Sequence, residues 1–445
     1  MIRYGPLFSG VCMIVNASWF TGTTARADGE IDTSIQAALD ANPGRMVHVP
    51  PGEHHIDRPL VIRADHTGLY GYGTIVQTNP AAGIIEIERA VGVRIELLTL
   101  TRPAGKTETG RDGIRVEGGE HIRLTGVRIL NNQSTSAAIR VTGSRHVRIA
   151  GCEITNYKRI GVDDRTTSEL YGYAFRAVLG DGMIVKTSTD VLILNNTIVE
   201  RAVASTEEAK KQHGLGRLVE GRQPTRKGRF APPGDYAPHW HQGSAVVVTS
   251  PELTRHVLIR GNLIENAAQG VDIHADHVTL TGNVIHHAFV GIKCMHGSRN
   301  VIITDNNVSN VDLWGLVMLP GTASHDGSTA EENRPAAEPN VTRGNLIANN
   351  IFSNFGYGHD YHNWMGSDSR NVLQFESGPL ETNPPMRDVV VQGNVVYNTD
   401  TSAAGDARYN HAVYLDPKLD ARTFRFSGNL FHPGKRGVAN VELPR

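Results

Sequence analysis

The sequence predicts an all-β chain wound as a single-stranded right-handed parallel β-helix with an N-terminal capping helix. Three observations predict this fold: a short apolar pattern recurs along most of the chain, glycine is frequent with 47 residues, and aromatic residues make up only 6%. With 39% hydrophobic residues among 445, the chain has enough apolar material for a sizeable core. Globular domains usually have about 150 residues, but an elongated repeat fold can form one domain of any length, so one domain is expected.

The repeating unit has two or three alternating apolar residues, a turn, a second alternating segment, and then Gly-Asn or Asn-Asn before a third. The copies at Gly270, Gly291 and Gly315 begin 21 and 24 residues apart. A period of about 22 residues with three short strands corresponds to one coil of a parallel β-helix. Stacked coils bury a core that no single coil could bury. The recurrent asparagine is expected to form an amide ladder and to adopt the left-handed turn conformation.

The first 27 residues have the pattern of a signal peptide. Arg3 precedes a moderately apolar stretch, and Ala25-Arg26-Ala27 fits the small-x-small cleavage pattern. This interpretation predicts a secreted or periplasmic protein whose mature chain, 28–445, is the β-helix domain. A helix start at Asp32, an apolar helical face and a Pro-Gly stop then predict a helix that covers the open end of the core.

Charge, hydropathy and cysteine content exclude several classes of protein. The chain has 44 Lys+Arg against 45 Asp+Glu, a net charge of −1, so wholesale electrostatic binding to nucleic acid is not expected. No apolar run reaches the ~20 residues that a membrane span requires. Cys152 and Cys294 are expected to be buried free thiols rather than a disulfide framework.

The entry segments and coils together resemble a known superfamily. The helical cap, the segment Val49-Pro-Pro-Gly-Glu-His-His-Ile and the Gly-Asn coils are similar to the pectin lyase-like superfamily of carbohydrate-active β-helices, over essentially the whole mature chain. The resemblance implies the right-handed parallel β-helix fold. It does not imply one reaction, since the superfamily includes lyases, hydrolases, epimerases, esterases and phage tailspikes.

Three insertions are expected to interrupt the coils, near 204–243, 320–343 and 355–371. Insertions in a solenoid tend to fall on one face, where they form the walls of a groove. The first insertion is strongly basic between residues 209 and 230, which favours an anionic ligand in a nearly neutral chain. A solvated loop without a ligand, and aromatic residues that only pack the loops, remain the alternatives. The expected substrate-binding residues are cationic or aromatic: Arg226, Arg229, His239, His241, Tyr357, His359, Tyr361 and His362, with His277 on a coil.

The densest run of reactive side chains lies on the two coils that begin at Gly270 and Gly291. With Val271 and Ile273 facing inward, alternation turns Asp272, His274 and Lys293 outward. Because Asp272 and Lys293 are one coil apart, we expect them to be neighbours about 5 Å apart on one sheet face. An exposed ion pair without a catalytic role is the alternative. Further along the same face, we expect His296, followed by Asp276, His277 and Arg299.

These coils are most similar to β-helix polysaccharide lyases of the alginate lyase and chondroitinase B type. Those enzymes place a lysine base and an arginine, followed by His-Gly, on neighbouring coils. Here Met295-His296-Gly297 occupies the Arg-His-Gly place, Lys293 lies two residues before the expected arginine, and His277 lies near the expected lysine. The resemblance therefore implies a lyase, although the residue that serves as the base departs from the pattern.

We predict a secreted lyase that cleaves an anionic, uronate-containing polysaccharide by β-elimination. This reaction removes the C5 proton while the C6 carboxylate charge is neutralised. Lys293 is the predicted base, supported by His274, His296, Asp272 and Arg299. A C5-epimerase, a non-catalytic glycan-binding protein and a hydrolase remain alternatives, and a hydrolase would use the pair Asp163/Asp164 or Asp272/Asp276. No cofactor is assigned; only scattered loop carboxylates offer a place for Ca²⁺.

Overall fold

The structure is a computed structural model that describes most of the chain. The described residues are 30–164, 173–203, 207–219, 234–237, 240, 242–295, 297–319, 328–329, 334–335, 341–355, 370–377, 385–397 and 407–444. A compact unit runs from Ile31 to Arg445. The predicted signal peptide lies outside the described residues, and the three predicted insertions are described only in part.

Three long parallel sheets form the body of the molecule, and the chain visits sheet 1, sheet 2 and sheet 3 in turn. The strands of sheet 1 are Leu60–Ile62, Ile85–Glu88, Ile114–Glu117, Ala137–Thr142, Asp181–Lys186, Ser244–Thr249, Gln269–Ile273, Val290–Cys294, Trp314–Met318, Asn371–Phe375 and His411–Leu415. The strands of sheet 2 are Met46–His48, Gly68–Tyr70, Arg94–Glu96, Arg123–Thr125, Arg145–Ala150, Thr189–Leu194, Arg255–Arg260, Asp276–Thr281, Ile302–Thr304, Arg343–Ala348, Arg387–Gln392 and Phe424–Ser427. The strands of sheet 3 are Gly52–Ile56, Gly73–Gln77, Thr99–Thr101, Arg128–Leu130, Glu153–Thr155, Thr197–Val199, Leu263–Glu265, Val284–His286, Asn307–Ser309, Ile351–Ser353, Val395–Tyr397 and Leu430–Phe431. The predicted right-handed parallel β-helix is confirmed.

The other elements lie outside the three sheets. Two α-helices span Ser34–Ala41 and Glu207–His213, and a 3₁₀ helix spans Ala421–Thr423. Short strand pairs are parallel for Glu108–Thr109 with Gln133–Ser134, and antiparallel for Arg159–Asp164 with Ala174–Leu179 and for Ser328–Thr329 with Arg334–Pro335. In the part of the chain that the structure describes, no helix is both long and apolar enough to cross a membrane.

The inward side chains of the coils form one apolar core that reaches from Ile35 to Phe426. Ile35 and Leu39 of the first helix belong to it, so this helix covers the end of the core as predicted. Cys152 and Cys294 are buried in the core as free thiols, which confirms the sequence-based expectation. Burial raises the pKa of the Cys152 thiol to about 11, and burial together with the charge of Asp272 raises that of Cys294 further.

A buried asparagine ladder runs along the corner between sheets 2 and 3. In six successive steps, each Nδ2 donates to the Oδ1 of the next asparagine at 2.9–3.1 Å. The members are Asn196, Asn262, Asn283, Asn306, Asn350, Asn394 and Asn429. The prediction that the same residues adopt the left-handed turn is wrong. The preceding residue has the positive φ instead, as in Asn195 at 53°, Gly282 at 64° and Asp305 at 57°. At each corner, therefore, one residue adopts the left-handed turn conformation and the asparagine after it forms the amide ladder.

Long connections occur only at the borders of sheet 1. The connection from sheet 2 to sheet 3 has three residues in the first coil and two in every later coil. By contrast, the chain makes its long excursions directly before or directly after strands of sheet 1: between Thr155 and Asp181, Val199 and Ser244, Met318 and Arg343, Ser353 and Asn371, Phe375 and Arg387, and Tyr397 and His411. The outer face of sheet 1 is therefore the face that the insertions border.

We predict that Asn306→Ala destabilises the coil stack strongly. The backbone N–H and Nδ2 of Asn283 both donate to Asn306 Oδ1, at 3.0 and 2.9 Å, and all three groups are buried. The substitution leaves these donors unpaired, so the free energy of unfolding should fall by about 2–4 kcal/mol in urea titrations. Asn307→Ala, at the adjacent exposed position, should cost less than about 0.5 kcal/mol. Equal losses in the two variants would contradict an energetic role for the ladder.

Candidate active site

The outer face of sheet 1 carries the reactive side chains of the two central coils. Asp272 and Lys293 are register partners on adjacent strands, and Val247 and Val317 flank them on the coils before and after. Val271 and Ile273 are fully buried on the opposite face of the strand. The expectation that Asp272 and Lys293 are outward neighbours is confirmed.

Asp272 contacts two partners at once. Its Oδ1 accepts a hydrogen bond from His274 Nε2 at 2.8 Å, and its Oδ2 accepts one from Lys293 Nζ at 3.3 Å. Burial alone would raise the pKa of Asp272, but the charges and hydrogen bonds of His274 and Lys293 outweigh burial and lower it to about 2. Asp272 is therefore a carboxylate throughout the neutral range.

This arrangement orients the imidazole of His274. With Nε2–H donating to Asp272, the basic lone pair of a neutral His274 lies on Nδ1. The side chains of His274, Asp272 and Lys293 retain 11%, 10% and 19% of their exposure, so the group is largely desolvated while Lys293 is the most accessible member. His274 Nδ1 is itself buried. A carboxylate, an oriented imidazole and an ammonium on one sheet face can bind an anion and move a proton.

Asp181 is a site residue that the sequence reasoning missed. It begins a strand of sheet 1 two positions before the strand of Asp272. Burial raises the pKa of Asp181 to about 6, and the negative charge of Asp272 adds to the rise, whereas a 2.6 Å hydrogen bond from the Ser244 backbone N–H and the charge of Arg140 oppose it. Ile184, rather than Asp181, is in register with Asp272 across the intervening strand, so Asp181 lies three residues away along the strand direction and acts on Asp272 only through its charge. The local sequence Gly-Asp-Gly indicates only a turn.

Lys158 was also missed, because it lies at the start of an insertion where the repeat pattern ends. Its side chain is fully buried, and Nζ lies 5.9 Å from the centre of the Tyr157 ring. Burial lowers the pKa of Lys158 to about 8, against the charges of Glu200 and Asp181. Among the described residues, Nζ has no hydrogen-bond partner. This buried cation therefore acts on Asp181 through its charge.

A second pair of carboxylates lies on sheet 1 towards the C-terminus. Glu376 and Asp416 directly follow register partners Phe375 and Leu415 on adjacent strands. Burial raises the pKa of Glu376, despite a 2.7 Å hydrogen bond from Gln374. Burial also acts to raise the pKa of Asp416, but hydrogen bonds, including a 2.6 Å bond from the Ser377 hydroxyl, outweigh it and lower the pKa. No motif in the sequence indicated this pair.

The structure does not bring Arg299, Asp276 and His277 to the face of Asp272, contrary to expectation. Arg299 Nε lies 3.0 Å from Asp276 Oδ1, and its Nη2 lies 3.7 Å from Glu252 Oε1, so neighbouring carboxylates neutralise this guanidinium. Asp276 begins a strand of sheet 2, because the coil turns its corner after His274. His277 has a φ of 53° on that corner, with its ring 5.5 Å from that of His256.

The hydrolase pairs suggested by the sequence are not supported either. Asp272 and Asp276 lie on different sheets, and Asp163 lies in an antiparallel hairpin outside the three sheets. The remaining predicted site residues fall outside the part of the chain that the structure describes: His296, His239, His241, Arg226, Arg229, Tyr357, His359, Tyr361 and His362. Their assignments remain predictions.

One group of described residues has the donor set of a metal site. The ligand atoms of Glu120, His121 and His146 lie within 4.8 Å of one another. However, Arg145 Nη2 lies 2.5 Å from Glu120 Oε2, and exposed Arg123 and Arg148 follow the two histidines by two residues. This positive environment opposes a bound cation, and the group fits a metal ion poorly.

We predict that Asp272 stabilises the protein in a pH-dependent way. Its folded pKa of about 2 is below the unfolded value of about 3.9, so its contribution, about 2 kcal/mol, is complete above pH ~4 and is lost as the pH falls through ~2. The difference in melting temperature between wild type and Asp272→Asn should therefore narrow on acidification. Asp388→Asn, at an exposed position of the strand Arg387–Gln392, is the control. A wild-type advantage that stays constant to low pH would contradict the assignment.

Comparisons with known proteins identify the fold. The family model described as right handed beta helix region matches residues 84–214. No curated protein sequence matches the chain. Among solved structures, DFA-IIIase from Arthrobacter chlorophenolicus A6 in complex with DFA-III is 13% identical, with 92% of this chain and 97% of that chain covered and a TM-score of 0.54.

Two other solved structures are larger than this chain. A mutant of the tailspike protein of E. coli bacteriophage HK620, in complex with a pentasaccharide, is 12% identical and covers 91% of this chain with a TM-score of 0.49. The catalytic unit of GH87 alpha-1,3-glucanase from Streptomyces thermodiastaticus strain HF3-3 is 12% identical and covers 92% of this chain with a TM-score of 0.48. The match spans 58% of the tailspike chain and 66% of the glucanase chain. At this level of identity, the likeness is one of fold: the right-handed parallel β-helix.

Proposed function

We propose that the protein is an exported polysaccharide lyase that cleaves an anionic, uronate-containing glycan by β-elimination on the outer face of sheet 1. The observation that carries the proposal is the contact of Asp272 with both His274 and Lys293, at 2.8 and 3.3 Å. The predicted signal peptide supports export to the periplasm or the medium.

The geometry changes the roles predicted from the sequence. Lys293 is the most exposed of the three side chains, so it is the one that an anionic group of a substrate can reach. An imidazole oriented by a carboxylate is suited to accept a proton. We therefore assign Lys293 to the C6 carboxylate of the uronate and His274 to the C5 proton. Asp272 orients both groups.

The proposed reaction balances with two side chains and water. His274 takes the C5 proton, the electron pair of that C–H bond forms the C4=C5 double bond, and the C4–O bond breaks. The leaving oxygen takes a proton from a water molecule. Lys293 stabilises the negative charge that develops on the carboxylate.

The shape of the face supports a linear polymer as the substrate. Sheet 1 has eleven strands, which at about 4.8 Å per strand give a surface about 50 Å long. All the long excursions border this sheet, as expected of a binding face in a solenoid. An extended glycan that lies across the coils would meet the Asp272 group near the middle of the row.

The test is the ultraviolet absorbance of the unsaturated product, with a panel of acidic polysaccharides. We expect His274→Ala to lower kcat by about 10²–10⁴-fold, and Lys293→Ala mainly to raise KM. Lys106→Ala, an exposed lysine distant in sequence, should leave both constants unchanged. Full kcat in His274→Ala would contradict the assignment of the base, and a wild type without the unsaturated product would contradict the lyase.

A hydrolase is the second candidate, because Glu376 and Asp416 form a carboxylate pair whose pKa values are shifted in opposite directions. In this reaction Glu376 is the general acid and Asp416 the ionised partner. Reducing ends should then accumulate without the unsaturated product, and Glu376→Gln should abolish them. His274→Ala would retain this activity. Reducing ends that persist in Glu376→Gln would contradict the hydrolase.

A further inference from the structure

Three arginines form an in-register row on the outer face of sheet 2. Arg94 pairs with Arg123, and Arg123 pairs with Arg148, on three consecutive coils. All three side chains are exposed. The spacing between neighbours is therefore about 4.8 Å, the distance between paired strands.

Carboxylates neutralise other arginines on the same coils, but they do not neutralise this row to the same extent. On sheet 1, Arg115 lies within 2.9–3.6 Å of Glu86, Glu88 and Glu117, and on sheet 3, Arg128 lies 2.8 Å from Glu153. In sheet 2, Glu96, at 3.9 Å, is the only carboxylate partner of Arg94 in the part of the chain that the structure describes.

No carboxylate among the described residues lies within ion-pair distance of Arg123 or Arg148. Like charges directly opposite one another across strands destabilise a sheet. The fold therefore carries an unfavourable row of charge on sheet 2. On sheet 1, by contrast, the register partners Arg115 and Arg140 both have carboxylate partners.

The surroundings of the row include flat rings, and the nearby carboxylates Glu120 and Asp190 contact the histidines rather than Arg123 or Arg148. The exposed rings of His121 and His146 stack at 4.7 Å with an angle of 9° between their planes, two residues before Arg123 and Arg148. Tyr70, 40% exposed, is in register with Glu96 on the same outer face. Guanidinium groups bind carboxylates and sulfates, and tyrosine rings stack on sugar faces.

We propose that the outer face of sheet 2 binds a linear acidic polysaccharide through Arg94, Arg123 and Arg148, as a site separate from the sheet 1 face. One positive charge per coil fits a polymer with about one acidic group per sugar. Duplex DNA, with one charge per ~1.7 Å of its axis, is about three times too dense for this row. The site is measured by binding without turnover, so it stands or fails independently of the proposed lyase reaction.

The test compares two untagged triple variants in the His274→Ala/Glu376→Gln background, which suppresses cleavage by either of the two proposed reactions. The row variant is Arg94→Gln/Arg123→Gln/Arg148→Gln. The control is Arg63→Gln/Arg128→Gln/Arg422→Gln, which removes the same charge from exposed arginines that each have a carboxylate partner. Titration with polygalacturonate at low salt should show at least a tenfold loss of affinity in the row variant, less than threefold in the control, and a flatter salt dependence only in the former.

Stability provides a second measurement that a purely structural role would not produce. Relief of like-charge repulsion should raise the melting temperature of the row variant at low salt by about 1 °C or more, while its affinity falls. The melting temperature of the control variant should not rise.

Three results would overturn the proposal. Equal loss of affinity in the two triple variants would mean that net charge alone attracts the polymer. Absence of binding between the wild-type protein and polygalacturonate would contradict the proposed site. If wild type binds a DNA duplex as tightly as polygalacturonate, and the row variant loses both affinities equally, the row binds any polyanion rather than a glycan in particular.

Discussion

The in-register stacking of coils is the constraint on which the rest of the structure depends. A single coil of about 22 residues cannot bury its apolar side chains, so each coil must pair with the next along all three sheets. Pairing at strand spacing places equivalent residues directly above one another. Residues that recur at the same position of successive coils therefore form continuous columns. The apolar core, the buried asparagines and the exposed arginines of sheet 2 are three such columns.

The asparagine ladder explains where the fold tolerates variation. Each ladder residue gives and receives buried hydrogen bonds on both sides, as Asn306 does with Asn283 and Asn350. An insertion at this corner would leave several buried polar groups unpaired, at a cost of about 1–3 kcal/mol for each. Among the described residues, the borders of sheet 1 have shorter ladders, such as the buried backbone N–H to hydroxyl hydrogen bonds that link Gly119, Ser144, Ser188 and Thr254. The long excursions occur at these borders.

Charges are arranged differently on the two faces. On sheet 1, Asp272 has His274 and Lys293, and Asp181 lies in its field, so neighbouring charges contribute to the shifted pKa values of both carboxyl groups. On sheet 2, the arginines oppose one another and have few counter-charges. The first arrangement suits chemistry, and the second suits the binding of an anionic polymer.

The period of the sequence by itself determined the β-helix, the inward face of Val271 and Ile273 and the pairing of Asp272 with Lys293. These follow because neighbours one coil apart are separated by a near-constant number of residues. The capping helix followed from its own start and stop signals. Only the tertiary structure decided which residues joined that pair. Asp181, Glu376 and Asp416 lie next to insertions, where the period is lost, and Arg299 pairs with Asp276 and Glu252 because the chain turns a corner after His274. Sequence spacing reports distance along a coil, whereas burial, corner geometry and neighbouring charges set the chemistry of a site.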